Sequence, residues 1–251
     1  MKLVIEDNFN KNFAEIQKIF QDFETYGEVF GNQDRNTLKL FQLNDLTANV
    51  KSFKVPNLVN KVVYRFFRQS KAERSFMYAK KLKDLNIGTP QPIAYAEEKN
   101  GVFFGKSYYM SEHLNYDITY RELTTNFDYP DHENVLRAFT RFTYLLHENQ
   151  INFLDHSPGN TLIKKVDDEY LFYLVDLNRM RFEEMTLEER VKNFAKLTIH
   201  DSMLEVMSDE YAYLMNTSKD KVFALMKQFT DEFQNKFHRK RRWKKRVLFW
   251  R

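Results

Sequence analysis

The chain has 251 residues, enough to bury a sizeable core as one large domain or two lobes. With 43% hydrophobic and 16% aromatic residues, including 24 Phe and 14 Tyr, it does not have the composition of a disordered chain. The absence of Cys excludes disulfides, thiolate nucleophiles and Cys-ligated zinc, and the formal charge of +4 is modest.

A cytoplasmic address fits the lack of Cys best. The first twenty residues lack the apolar core of a signal peptide, and no stretch approaches the roughly 18 apolar residues of a membrane span. We therefore expect a soluble or peripheral protein.

In residues 8–24, Phe9, Phe13, Ile16, Phe20 and Phe23 alternate at spacings of four and three, the signature of one helical face that would brace the N-terminus. From Gly27 to Phe53, short segments rich in Val, Leu, Phe and Thr are broken at "GNQDRN" and "LNDL", which predicts three antiparallel strands. "SKAERSFMYAKKLKDLN" opens on Ser70 as an N-cap. It keeps Ala72, Phe76, Ala79 and Leu82 in helical register and should end near Asn86. "IGTPQPIAYAEE" and "GVFFGKSYYMSEHL" then supply a Pro-bearing entry and two more strands, completing a five-stranded smaller lobe over residues 1–112.

Residues 113–251 are mainly helical in pattern. In "PDHENVLRAFTRFTYLLHEN", Val135, Phe139, Phe142 and Leu146 share a face. "NTLIKK" and "YLFYLVDL", separated by "VDDE", predict a hairpin, with helical segments following over about 186–237. There is no internal repeat and no low-complexity linker.

The hairpin carries the chemistry. Asp155 and Asn160 precede its first strand and Asp176 ends its second, so two carboxylates and a carboxamide converge at one end of a small β-element. Hard oxygen donors of this kind suit Mg²⁺, which takes few protein ligands and shares the rest with substrate phosphates. In kinase-type phosphoryl transfer an Asp receives the acceptor proton, an Asn five residues on holds metal, and an Asp after the next hairpin holds metal. "LDHSPGN" and "LVDLNR" present that order.

With "NVKSFKVPN", "SKAERSF", "IGTPQPIAY", "LDHSPGN" and "LVDLNRMRF" in sequence over about residues 25–185, the chain resembles the bacterial lipopolysaccharide kinase family, the Kdo and heptose kinases of the lipid A core. The resemblance implies an α+β, two-lobed protein-kinase-like fold, with a small antiparallel β lobe carrying one helix and a larger mainly helical lobe. It implies an ATP-dependent, Mg²⁺-using kinase that phosphorylates a sugar hydroxyl of the lipopolysaccharide inner core or a lipid-linked sugar.

Residue by residue, the resemblance makes Asp155 the catalytic base and Asn160 and Asp176 the metal ligands. It makes Lys51 the lysine that contacts the nucleotide phosphates, with Lys54 the competitor; Lys51 shares a strand face with Phe53. Three features depart from the family pattern. Phe153 and Leu154 replace the usual His and Arg before the Asp, so regulation by loop phosphorylation is not expected. Met77 occupies the position of the lysine's carboxylate partner, with Glu73 one turn earlier as its substitute. No G-x-G-x-x-G occurs, and "GNQDRN" offers only a short turn over the phosphates.

Other readings stand beside these. Asp155 and Asn160 are also ordinary turn residues. His147 suits a structural hydrogen bond at a helix end, His156 a structural or a substrate-contacting role, and Arg179 an ion-pair or phosphate contact. The stretch "HRKRRWKKRVLFWR" holds eight Lys and Arg, more than the whole net charge, so the rest of the chain is net negative. With Trp243, Phe249 and Trp250 it is a solvated helix end or an anchor on an anionic membrane surface, on the inner face of the inner membrane. No motif elsewhere supports nucleic acid binding. The alternatives to the sugar kinase are a small-molecule or protein kinase of the same fold, and an inactive kinase-like binding module.

Overall fold

The computed structural model describes residues 1–31, 36–55, 69–100 and 103–248. The expected "GNQDRN" turn, the end of "NVKSFKVPN", and Phe249 and Trp250 therefore lie wholly or partly outside the described residues. The chain forms two compact units. The first holds Met1–Asn115 and Leu174–Asn178, and the second holds Tyr116–Tyr173 and the chain from Arg179 onward.

The first unit is built on an antiparallel sheet of β1 (Lys2–Ile5), β2 (Glu28–Val29), β3 (Asn36–Leu43), β4 (Leu46–Phe53), β5 (Pro92–Asn100) and β6 (Phe103–Glu112), in the order β1-β5-β6-β4-β3-β2. Strand β1 is an addition to the five expected strands. Its four residues are too short to show a period, and its place comes from pairing with β5, Lys2 opposite Glu97 and Ile5 opposite Ala94.

Side-chain alternation gives the sheet two different faces. Ala48 and Val50 of β4, with Tyr108 and Met110 of β6, pack on α1 (Phe13–Gln21) through Ile16 and Phe20, and on Phe23 beyond it. The opposite parity, Phe53 with Tyr95, packs on α2 (Lys71–Asp84) through Ala72 and Phe76. Lys51 lies between these sets in sequence and shares the parity of Phe53, hence the α2 face.

The brace helix is shorter than its pattern suggests because a 3₁₀ segment, Asp7–Asn12, precedes it. The tighter turn shifts the helical phase and leaves Phe13 exposed, although Ile16, Phe20 and Phe23 are buried. Lys39 closes the turn after α1: its ammonium donates to the carbonyls of Phe23, Glu24 and Tyr26 at 2.7, 3.2 and 2.9 Å. Helix α2 begins as read, with Ser70 Oγ accepting from Glu73 N–H at 3.0 Å. It stops before Asn86, which takes φ = +56°.

The second unit contains β7 (Ile118–Thr119), α3 (Tyr120–Leu123), α4 (His132–Glu148), β8 (Ile151–Phe153), β9 (Thr161–Val166), β10 (Glu169–Leu174), β11 (Met180–Phe182), α5 (Leu187–Lys192), α6 (Asp201–Leu214) and α7 (Lys219–Leu248). Its core joins Val135 and Phe139 of α4 to Leu204, Met207 and Tyr211 of α6 and to Val222 and Met226 of α7. Two buried hydroxyls are satisfied locally: Thr140 and Thr143 donate back to the carbonyls of Leu136 and Phe139.

The β9–β10 hairpin turns at Asp167, φ = +53°, and β9 also pairs with β7. β8 and β11 pair as a separate two-stranded ribbon. The final helix extends past the expected end near 237 to Leu248, so the basic stretch is helical there, and residues 235–243 are exposed. Among the described residues no helix is long and apolar enough to cross a membrane.

Two histidines are buried in this unit. Burial holds His147 at about 3 and His156 at about 4, below the ordinary imidazole value, because the charged form loses hydration. The unfolded chain takes up these two protons below about pH 6.5 and the native protein does not. Stability is therefore intact above that pH and falls as pH drops toward the native values, by about 1.4 kcal/mol per pH unit for each His. Urea denaturation at pH 7.5 and pH 5 should show a lower midpoint at pH 5, and His147→Gln with His156→Gln should reduce that drop. An unchanged drop in the double variant would refute the assignment.

Candidate active site

In the first unit, Lys51 on β4 is held between Leu38 of β3 and Tyr109 of β6 in the register. Its ammonium lies 5.3 Å from the Phe53 ring centre and 2.7 Å from Asp176 Oδ1. Asp176 reaches this place because the segment after β10 docks on the loop after α2. Leu174 N–H donates to Gly88 O at 2.9 Å, and Thr89 Oγ1 donates to Leu174 O at 2.9 Å. Asp176 itself adopts φ = +58°, a conformation Asp tolerates better than most residues, and its Oδ1 also accepts from Asn178 Nδ2 at 2.6 Å.

Lys54 lies past the end of β4 with an exposed side chain. Glu73, the expected partner of Lys51, sits elsewhere in the network: its Oε1 is 3.7 Å from Lys2 Nζ and 3.4 Å from Tyr95 OH. Strand β1 brings Lys2 to that carboxylate, and Lys51 takes Asp176 instead. Met77 is exposed.

In the second unit, the loop after β8 carries Asp155. Asn160 clamps it, donating from Nδ2 to the carbonyl of Asp155 at 2.8 Å, while its backbone N–H bonds Ser157 O. A carbonyl can only accept, so this bond fixes the amide orientation and turns Oδ1 of Asn160 away as a free acceptor. Gly159 allows the loop to approach α3, since a Cβ there would lie 2.7 Å from the Arg121 guanidinium.

Asp155 Oδ1 faces two cations, Lys196 Nζ at 3.4 Å and Arg179 at 3.8 Å, and Lys196 also donates to Leu154 O at 2.6 Å. Arg179 is thus an ion-pair partner. It is largely exposed, which makes its contribution small.

The loop is braced from below by Asn193, at the end of α5. Its Oδ1 accepts from His156 Nδ1 at 3.0 Å, and its Nδ2 donates to Asn152 Oδ1 and Phe153 O at 2.8 and 3.2 Å. His156 is only 1% exposed and packs against the rings of Phe139 and Phe153, so it is a bracing residue and not a surface contact for substrate. His147 makes the structural bond expected of it, 2.7 Å to Tyr211 OH. Sequence reading missed Asn193 and Lys196. They lie about forty residues beyond the loop motif, and only the packing of α5 and the turn after it brings them to the loop.

Each unit presents an oxygen donor of the kind a hard divalent ion takes. Among the described residues, Asp176 Oδ2 and Asn160 Oδ1 have no hydrogen-bond or ion-pair partner, whereas Oδ1 of Asp176 and Nδ2 of Asn160 are engaged. Carboxylate and amide oxygens are each ligand types that Mg²⁺ accepts. Among the described residues there is no group of three or more His, Cys, Asp or Glu that could hold a metal ion.

An antiparallel sheet with a lysine strand and flanking helix, followed by a helical unit with an Asp–Asn loop and hairpin, defines a phosphotransferase of the protein-kinase-like class. Among solved structures, "WaaP in complex with acyl carrier protein" matches with a TM-score of 0.62 at 14% identity, covering 92% of this chain and 99% of that one, and it establishes the fold. No curated protein matches significantly. Residues 25–217 match the lipopolysaccharide kinase (Kdo/WaaP) family, and the chain belongs to that family. It is accordingly a nucleotide-using kinase of the lipopolysaccharide core.

Replacing Asn193 by Ala removes three hydrogen bonds and strands the buried His156 Nδ1. Unsatisfied buried groups cost about 1–3 kcal/mol each, so a loss of roughly 2–4 kcal/mol is expected in urea denaturation. A loss below about 0.5 kcal/mol would show that the brace does not hold the loop.

Proposed function

We propose that the protein transfers the γ-phosphoryl group of ATP, with Mg²⁺, to a hydroxyl of an inner-core sugar, Kdo or heptose. The observation that carries this reading is the state of Asp155. Its Oδ1 is engaged by Lys196 and Arg179, and its Oδ2 has no partner among the described residues, leaving one oxygen to receive a proton.

In this reading Lys51, positioned by Asp176, would contact the triphosphate, and Asp176 and Asn160 would hold the metal. Bound Mg²⁺ would neutralise charge on the phosphate oxygens. Asp155 orients the acceptor hydroxyl for in-line attack and takes its proton. The new bond joins the acceptor oxygen to the γ-phosphorus as the bond to the β-phosphate oxygen breaks, and ADP leaves. Catalysis rests on positioning and charge neutralisation. Glu73 stands apart in this scheme, bound to Lys2, and would support the α2 face without touching nucleotide.

Asp155→Ala should lower turnover by about 10²–10⁴-fold, the usual contribution of a positioned base, with an unchanged melting temperature and an unchanged thermal shift on adding ATP and Mg²⁺. Wild-type transfer in that variant would remove Asp155 from the mechanism. Absence of any thermal shift in the wild-type protein would favour an inactive binding module instead. Transfer to a small molecule or a protein, with none to core sugar, would favour the other kinases of this fold.

The exposed, basic end of α7, with Trp243, suits an anionic bilayer, each basic residue near the surface contributing about 1 kcal/mol. It would hold the enzyme on the inner face of the inner membrane, near a lipid-linked acceptor. Sedimentation with vesicles containing anionic lipid should capture the protein at low salt and release it at high salt. Truncation after residue 237 should abolish capture; retention by the truncated chain would exclude the tail as the anchor.

A further inference from the structure

The first unit carries two ion pairs between its N-terminal strand and α2 that the proposed chemistry does not use. Lys2 Nζ lies 3.7 Å from Glu73 Oε1, and Lys80 Nζ lies 2.6 Å from Glu6 Oε2. Between them, Val4 packs against the cluster of Phe53, Ala72, Phe76 and Tyr95. Alternation puts Lys2, Val4 and Glu6 on the α2 side of the sheet, whereas Leu3 and Ile5 pack on the α1 side. The strand is held as far as the last of these contacts, since Glu6 N–H donates to Ile93 O at 2.8 Å.

Strand and helix match in spacing. Lys2, Val4 and Glu6 follow one another at about 6.6 Å along the strand, and Glu73, Phe76 and Lys80 at about 4.5 and 6 Å along the helix. Ion pairs at a protein surface ordinarily contribute little. Here both carboxylates are mostly buried, with 16% of the Glu6 and 20% of the Glu73 side chain exposed, so loss of their cations would leave charge in a poorly hydrated place. Each ammonium also lies over a ring, Lys2 over Tyr95 at 5.3 Å and Lys80 over Phe76 at 5.8 Å, and both rings belong to the cluster that Val4 joins.

That cluster is the floor under Lys51. The Phe53 ring centre is 5.3 Å from the Lys51 ammonium, and Tyr109, opposite Lys51 in the register, packs against the same cluster. We propose that β1 with Glu6 is a strap that seats α2 on the lysine face, and that Lys2 and Glu6 are positioning residues for Lys51. They act through α2, because a helix that lifts to hydrate Glu6 and Glu73 takes Phe76 away from Phe53 and loosens the base of the lysine. The strap precedes residue 25, where the match to the family begins. The proposal rests on the reading in which Lys51 contacts nucleotide.

The test uses the full chain, with hydrogen exchange of the α2 amides, calorimetry with ATP and Mg²⁺, and steady-state transfer to core oligosaccharide. Lys2→Met with Lys80→Met keeps the long apolar stems and removes both cations. This pair should speed α2 exchange about tenfold and raise the Kd and KM for ATP about fivefold. Its kcat at saturating ATP should stay within about twofold of wild type, because Asp155 and its loop belong to the second unit. Lys2→Arg with Lys80→Arg, which keeps both charges, should behave as wild type in every measurement, and so should Lys83→Met, an exposed change on α2 outside the strap.

Unchanged α2 exchange in the Met pair would overturn the strap. So would an equal loss in the Arg pair or in Lys83→Met, or faster exchange spread evenly over the whole first unit, which marks general destabilisation. Faster α2 exchange with normal ATP affinity would overturn the positioning role alone and leave the nucleotide reading standing. No ATP binding by the wild-type protein would overturn the positioning role together with that reading.

Discussion

The ion pair between Lys51 and Asp176, at 2.7 Å, is the constraint on which the chemistry proposed for the first unit depends. It fixes the ammonium of a strand residue against a carboxylate from a segment that lies more than 120 residues later in the chain. That segment is itself secured by the hydrogen bonds from Leu174 to Gly88 and from Thr89 to Leu174. Two β-sheet faces with different partners make this possible. One is closed by α1, and the other leaves Lys51 beside Phe53 on the side packed by α2. Only one oxygen of Asp176 is engaged by Lys51 and Asn178; the other has no partner among the described residues.

The second unit solves a different problem, holding a partly buried carboxylate in a loop that lacks the His and Arg of the usual kinase motif. The Phe153 side chain is buried and packs against the His156 ring. The polar work passes to His156, one residue after Asp155, which is sealed in the core and tied to Asn193. Lys196 replaces the missing cation from outside the motif and bonds both Leu154 O and the Asp155 carboxylate. Neutral, desolvated histidines suit this bracing role, since a charged imidazole would be costly there.

Much of this was legible in the sequence where the information is local. The Ser70 cap and the Ala72–Phe76–Ala79–Leu82 stripe define α2, the Val135–Phe139–Leu146 face defines α4, and the β9–β10 hairpin follows from its two apolar runs and turn. The Asp–Asn–Asp order was readable because it is written as spacing. What escaped is decided by tertiary proximity. β1 and the β8–β11 ribbon have too few residues to show a period, and the phase of the brace helix was altered by the 3₁₀ turn before Phe13. The partners of Glu73, His156 and Asp155 depend on side chains far away in the chain.

The central claim is that Lys51, Asp176 and Asp155 serve one phosphoryl transfer to a core sugar. It is tested most directly by incubating the protein with ATP, Mg²⁺ and core oligosaccharide and locating any new phosphate by mass spectrometry, with Asp176→Asn alongside. The account predicts one added phosphate on an inner-core sugar with the wild-type protein and none with a folded Asp176→Asn variant. An equal yield from that variant, or phosphate on no core sugar at all, would contradict it.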